Sequence, residues 1–432
     1  VRASGRAVVV QPAATVVHHE GVTAGTDTGS GVKRHQVTNQ ATFAERWRDA
    51  LARQPAPGGD VDALVRAGAR GRVLVVDATT PEPDQDSGSV RLVNLLRLLR
   101  RSGRHVTFMA DNRAWVPGYT QRLQAIGIEV LYQPWLDDPV DWLRRHGPGL
   151  DAVIVCRHYV AAPWLHLVRR YAPRARFVFD TVDLHYLREQ RAAELSGSAE
   201  IARQAATTRA QELRLVRSAD VTVVVSAAER ALLAVDAPGA RVEVLSNIHP
   251  VHGCRTPWAE RQDLWFVGGF QHPPNVDAVT WFVAEVFPAI RARLPGVRFH
   301  VVGSKMPAAI RALAGDGVEV HGHVADLDPF LDGCRIAVAP LRYGAGVKGK
   351  VNMSMSCGQP VVATPMAVEG MHLVDGSEAL VAGTAADFAD AVVRLYQDQA
   401  LWQRLSAAGL DNVRRHFSFE AAQAALEQVL AG

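Results

Sequence analysis

The feature that most restricts the fold is a change of texture at Arg72, after which short, continuously apolar, β-branched runs alternate with helical patterns. Such runs occupy 73–77, 105–110, 129–132, 152–156, 177–180, 221–226 and 242–246, and helical stretches such as 90–101 and the long 190–217 lie between most of them. A strand that is apolar at every position must be covered on both faces. Intervening helices supply that cover, so the pattern predicts a doubly wound parallel sheet. The alternation stops at 249–260, a stretch rich in Pro, His and Gly, and then restarts. Further strands are expected at 264–267, 298–302, 318–321, 336–340 and 360–364, with helices from Asn275, Pro307, Leu327 and Lys350 and three closing helical segments at 385–398, 399–415 and 418–430. The expected fold class is α/β: two Rossmann-like domains, 72–255 and 262–432, facing across a cleft and hinged near 250–260.

Composition supports this reading and removes others. At roughly 150 residues per domain, 432 residues predict about three domains. An apolar fraction of 48% with 21% charged residues excludes disorder and collagen. The net charge of +3, from 47 Lys+Arg against 44 Asp+Glu, provides no basic field for nucleic acid. Cys156, Cys254, Cys334 and Cys357 lack metal-ligand or disulfide-scaffold spacing, which fits a reducing compartment. No apolar run reaches the 18 or so residues that span a bilayer, so a cytoplasmic location is expected. Residues 1–55 are too few to close a core, and the Pro/Gly-rich QPAPGG stretch at 54–59 opens a linker over 56–71. Val1 stands where an initiator methionine would be expected, as in a fragment that begins upstream.

The densest chemical signal is PLRYGAGVKGKVNMSMSCG at 340–358. Gly344, Gly346 and Gly349 formally satisfy G-x-G-x-x-G, and Glu369 stands twenty residues beyond the last glycine. The following helix is too short for a dinucleotide crossover, and Thr364 rather than an acid ends the next strand. The loop still suits an anion: glycines let backbone amides approach, a helix begins, and Arg342, Lys348 and Lys350 bring three cations to one turn. A diphosphate is the natural ligand. A second glycine turn, Gly268-Gly269, follows the first strand of the second sheet, where a ligand or merely a tight βα connection could require it.

In the first domain, the acidic loop at 79–89 is long for a βα connection and could hold an acceptor. The next helix carries Arg91, Arg97, Arg100 and Arg101, with Arg104 beyond it, a face open to peripheral membrane contact or plain solvation. At 179–188, Asp180, Asp183 and His185 end a strand where polar groups would face the cleft, though Asp180 could equally cap a helix. His321 and His323 alternate along one expected strand, and His18-His19-Glu20 form a tight trio, but neither set includes the clustered ligands that a metal site requires. No metal site is expected. Ser-His-Asp, GxSxG and Walker A patterns are absent.

The segment from Leu264 onward, above all LRYGAGVKGKVNMSMSCGQPVVATPMAVEGMHL, resembles the C-terminal half of group 1 (family 4) glycosyltransferases. Arg72 to Asn247, with DSGSVRL, FDTVDLHYLR and VTVVVSAAE, resembles the matching acceptor half. The resemblance implies the GT-B fold, a nucleoside-diphosphate sugar held by the second domain without a metal or other cofactor, and hexosyl transfer to a glycan or lipid-linked glycan acceptor. Bacterial surface-polysaccharide assembly (O-antigen, capsule or lipopolysaccharide) and retention of configuration are further implications, as is a place at the inner face of the cytoplasmic membrane. The family's two glutamates, with seven residues between them, are replaced here by Ala345 and Met353, leaving Glu369 as the candidate acid. Lys350 matches the family's lysine, with Arg342 and Lys348 sharing the phosphate. Asp183 lies nearest the family's acceptor-side histidine, with His185 as the alternative.

Residues 8–47 resemble instead the tail of a family 2, GT-A type glycosyltransferase, with His18 matching the histidine near the nucleotide-bound metal. By that likeness, 1–55 are a C-terminal remnant without activity, and a divalent metal would belong only to the intact domain. Two other functions fit the architecture: a sugar-nucleotide epimerase, and a non-catalytic GT-B module that has lost its glutamates.

Overall fold

The computed structural model describes residues 27–52 and 68–431. The chain divides into two compact units, Val1–Gly68 and Ala69–Gly432. In the first, the described residues form a 3₁₀ turn (Gly31–Lys33) and helices Arg34–Arg46 and Arg48–Ala52, and neither helix has a buried residue. The GT-A likeness rests largely on residues outside the described ones, His18 included.

The second unit contains two sheets, all of whose ladders are parallel. Strands β1 (Arg72–Asp77), β2 (His105–Ala110), β3 (Glu129–Leu131), β4 (Ala152–Cys156), β5 (Arg176–Asp180), β6 (Val221–Val224) and β7 (Val242–Val244) form the first. Strands β8 (Gln262–Val267), β9 (Phe299–Val302), β10 (Val318–Gly322), β11 (Cys334–Ala339), β12 (Val361–Ala363) and β13 (Leu380–Val381) form the second. Their orders are β3-β2-β1-β4-β5-β6-β7 and β10-β9-β8-β11-β12-β13. Alternate residues of a strand face opposite sides, and β1 shows the consequence: Leu74 and Val76 enter one apolar core, Val73 and Val75 another. The continuous apolar runs were thus two interleaved half-cores. The second sheet is built around Trp265, Phe266, Phe282, Phe299 and Phe388, all fully buried.

Three elements depart from the sequence reading. The long 190–217 pattern is two helices, His185–Ser196 and Ala199–Ser218, because Gly197 closes the first in the left-handed region (φ 68) and the Ser198 hydroxyl caps the second through the Ile201 amide. Strand β13, only two residues long, gives too short a pattern to read. The last helix, Phe419–Leu430, follows the second sheet in sequence but packs on the first: Ala422, Leu426 and Val429 join the core of Leu95, Leu99 and Val221. Arg104 holds Glu427 through both oxygens (3.1 and 2.9 Å), and Arg241 reaches the Gln428 carbonyl at 2.8 Å, where a cation suits the negative end of a helix. The domain boundary at 262–432 therefore needs this correction: the closing helix belongs with the first lobe.

Candidate functional site

Each sheet reverses its winding direction once, between β1 and β4 in the first and between β8 and β11 in the second. At such a point the loops leaving adjacent strands diverge and open a crevice at the strands' carboxyl ends. Both crevices meet in one cavity of about 680 Å³, lined by 83–88 and Arg157 from the first lobe and by 267–269 and 344–350 from the second. A volume in this range suits a drug- or nucleotide-sized ligand.

The second lobe's wall is built around absent side chains. A Cβ on Gly268 would lie 2.8 Å from the Asn275 amide nitrogen and 2.9 Å from Lys350 Nζ, so only glycine admits both. Behind it, a Cβ on Gly303, which ends β9, would lie 1.9 Å from the Gly268 carbonyl oxygen. Asn275 locks the arrangement: its Nδ2 donates to the Gly269 carbonyl (2.8 Å) and its Oδ1 accepts from Lys350 Nζ (2.7 Å). The same ammonium sits 3.7 Å over the Phe266 ring. Burial pushes the Lys350 amine far below the usual lysine range, and the neighbouring Lys348 pushes it further. Lys348 donates to the carbonyls of Ala345 (3.0 Å) and Gly346 (2.5 Å). Burial lowers it to about 8, against the opposing pull of Glu369, Glu229 and Asp183. Neither lysine forms a salt bridge with a described carboxylate. One wall therefore holds two desolvated amines at the start of the Gly349–Ser356 helix, where an anion would favour their charged forms.

Three arginines on the first lobe's wall are already matched by carboxylates of the same lobe. Arg157 Nε lies 2.8 Å from Asp77 Oδ1, and Arg91, buried in the Ser87–Arg101 helix, holds Asp180 at 2.7 Å and the Leu245 carbonyl at 2.9 Å. Asp183 pairs with Arg188, and its Oδ1 lies 3.4 Å from His185 Nδ1. Burial alone would raise Asp183, but Arg188 and His185 overcome it and hold the carboxyl at about 2. Arg157 keeps a left-handed backbone (φ 68) at the cavity edge, a costly conformation for a non-glycine residue.

Of the residues singled out in the sequence, Asp183, Gly268, Gly269, Gly344, Gly346, Lys348 and Lys350 line this cavity. Three do not. Arg342 turns outward and pairs with Asp277 through Nε at 2.9 Å, because the loop's first residues lie beside the Pro273–Trp281 helix. His185 is buried behind Asp183, its ring 5.1 Å from His158 and 3.6 Å from Glu212; burial works against its charge, but Asp183 and Glu212 raise it overall. Glu369 is held by Arg191 through two contacts of 2.7 Å, and Arg191 also donates to the Gly344 carbonyl at 2.7 Å. That ion pair spans the lobes and braces the glycine loop. Asp180 is likewise committed to Arg91. Ala345 and Met353 both line the cavity, so the two positions where the resemblance expects glutamates do face it.

The sequence reading missed Gly303, Arg157, Asn247 and the bracing role of Asn275. Asn247 Nδ2 donates to the Val347 carbonyl and to Asn352 Oδ1, both at 3.2 Å, and ties the first lobe to the glycine loop. Gly303 had a legible signal, since VVGS repeats the strand-then-glycine pattern of FVGG. Arg157 had none. The arginine-rich helix face is also partly spent: Arg91 is buried, Arg101 covers the Phe419 ring at 4.4 Å, and Arg104 binds the closing helix.

Residues 261–398 match the model of the family described as glycosyl transferases group 1. An uncharacterized 44.6 kDa protein in the cps region of Klebsiella pneumoniae is 26% identical over 140 residues, 30% of this chain. The match spans 36% of that relative's length. Among solved structures, the sucrose-phosphate synthase of Thermosynechococcus elongatus covers 83% of this chain and 98% of its own at 16% identity, with a TM-score of 0.64. HepE of Anabaena, in complex with UDP and glucose, covers 84% and 100% at 14% identity, with the same score. TarM of S. aureus, in complex with fondaparinux, alpha-GlcNAc-glycerol and UDP, covers 84% and 100% at 9% identity, with a score of 0.65. The fold is GT-B, as two parallel-sheet lobes with these neighbours establish. The match to the group 1 glycosyltransferase model falls within the second lobe, on the stretch that holds both glycine turns and both lysines.

Proposed function

We propose that this chain transfers a hexose from a nucleoside-diphosphate sugar to a glycan or lipid-linked glycan acceptor. The observation that carries the reading is the pair of buried, unpaired lysines, Lys348 and Lys350, beside glycine turns at the second sheet's switch point. A diphosphate placed there gains charge-assisted hydrogen bonds, and its negative charge grows as the sugar bond breaks, so the same groups stabilise the leaving group. The acceptor belongs on the opposite wall, between the 79–89 loop and Asp183, whose carboxylate would face positive charge developing on the sugar. His185 and Glu369, neither of which lines the cavity, act as positioning residues: one steadies Asp183, the other braces the glycine loop through Arg191. Ala345 and Met353 carry no carboxylate where the family has its glutamates, so the ribose would be held by other polar groups of the cavity.

Retention of configuration accompanies this proposal by resemblance. A role in bacterial surface-polysaccharide assembly is supported by the cps-region relative. No described helix is long and apolar enough to cross a membrane, and a cytoplasmic enzyme that meets lipid-linked acceptors at the inner membrane face completes the reading. Titration calorimetry with UDP-, GDP- and dTDP-sugars tests donor binding, and product analysis with oligosaccharide acceptors tests transfer. Binding of one donor class and acceptor-dependent release of nucleotide are expected. Conversion of a donor to its epimer without acceptor, or no binding to any donor, would overturn the assignment.

A further inference from the structure

A second cluster, apart from the cleft, has the geometry of a transition-metal site. His300 on β9 and Glu319 on β10 are direct register partners, and His321 lies two residues further along β10 on the same side. Their ligand atoms converge: His300 Nδ1 is 2.9 Å from His321 Nε2 and 3.2 Å from Glu319 Oε2, and His321 Nε2 is 3.7 Å from that oxygen. A tetrahedral ion with bonds of about 2.0–2.1 Å needs donor atoms roughly 3.3 Å apart, and these three separations bracket that value.

The surroundings orient the donors for such a role. The remaining ring nitrogen of His300, Nε2, lies 3.3 Å from Asp263 Oδ2, the carboxylate partner that fixes a ligating imidazole's tautomer and leaves Nδ1 as the lone-pair donor. Arg298 binds Asp263 at 2.9 Å and takes Glu319 Oε1 at 3.0 Å, which leaves Oε2 to face the histidines. The Phe330 ring packs edge-on against both imidazoles, at 5.8 and 5.0 Å. Two neutral imidazoles, two carboxylates and one guanidinium sum to a single negative charge, so a dication is electrostatically acceptable. Without an ion, two ring nitrogens at 2.9 Å must share a proton that a metal would replace.

His323 takes no part, although the sequence spacing pairs it with His321. A register irregularity between Val320 and Gly322, with Gly322 at φ 75, turns the chain, and His323 points to the cleft, 3.1 Å from Asp84. The two ligands that join His321 are instead His300 of β9 and Glu319 of β10.

We propose that His300, Glu319 and His321 bind a zinc-class divalent ion through two nitrogens and one oxygen, with the outer position open to solvent. None of the three lines the donor cavity, so the ion pins edge strand β10 to β9 and takes no part in group transfer. The test titrates the full chain with Zn²⁺ against a chromophoric chelator and records the visible spectrum of the Co²⁺ form. One equivalent of micromolar or tighter binding, a four- or five-coordinate Co²⁺ spectrum and a Zn²⁺-dependent rise in thermal midpoint are expected. His321→Gln and His321→Ala, on a partly exposed edge strand, should each weaken binding roughly 100-fold, and Asp263→Asn roughly 10-fold through the orienting carboxylate. His166→Ala, on the other lobe, should bind as the parent does. Absence of competition at micromolar Zn²⁺, or undiminished binding in both His321 variants, would overturn the proposal; nucleotide-sugar binding by the same variants reports that they are folded.

Discussion

The two lobes share a winding rule and a switch point, yet treat charge in opposite ways. Around the cavity, the first lobe pairs three arginines with its own carboxylates: Arg157 with Asp77, Arg91 with Asp180, Arg188 with Asp183. The second places two amines in a buried, glycine-lined wall without a carboxylate bonded to either, and burial drives both down. A wall with its charges satisfied is a scaffold. One holding two desolvated amines without a bonded carboxylate suits an anion, and this contrast, more than the glycine motif, supports the proposed division into donor and acceptor sides.

Breaking the satisfied side should cost the most. Asp180→Ala leaves Arg91 buried and uncompensated, and the loss of unfolding free energy in denaturant titration should be about 3–5 kcal/mol. On the unsatisfied side, Lys350→Met should weaken nucleotide-sugar binding roughly 10- to 100-fold by calorimetry, the worth of about one or two charge-assisted hydrogen bonds. It should leave thermal stability unchanged or raised, because the native amine is already costly to bury. A stability loss without an affinity loss would reverse the assignment of the two walls.

The depressed amines also set a pH dependence. Bound diphosphate favours the protonated lysines, so the complex holds more protons than the free components, and affinity falls as pH rises. The Lys348 contribution is lost above about 8, and Lys350, which burial and Lys348 also depress, adds proton uptake on binding in the same sense. Calorimetry in two buffers of different ionisation enthalpy reads that uptake. The smallest effect is expected at Arg342: its pair with Asp277 is partly exposed, so Arg342→Ala should change stability by under about 1 kcal/mol and leave donor affinity unaltered. A large affinity loss there would return Arg342 to the phosphate site.

Local pattern and composition determined much of this. Apolar runs separated by helices dictated parallel, doubly covered sheets, since no other arrangement buries both faces of such strands, and Gly268, Gly344, Lys348 and Lys350 were visible because backbone freedom and charge are written residue by residue. Tertiary structure alone decided which charges were already spent. Arg342, Glu369 and Asp180 look available in sequence, but their partners Asp277, Arg191 and Arg91 lie 65, 178 and 89 residues away and meet them only after folding. The closing helix shows the same limit, since its apolar face matches either lobe and only packing selects the first. So does the proposed metal cluster, which the β10 spacing alone did not suggest, because the pairing of β9 with β10 is what brings His300 to Glu319. Electrostatic pairing and strand register are long-range properties, and a one-dimensional pattern records what each residue can do without recording which neighbour will claim it.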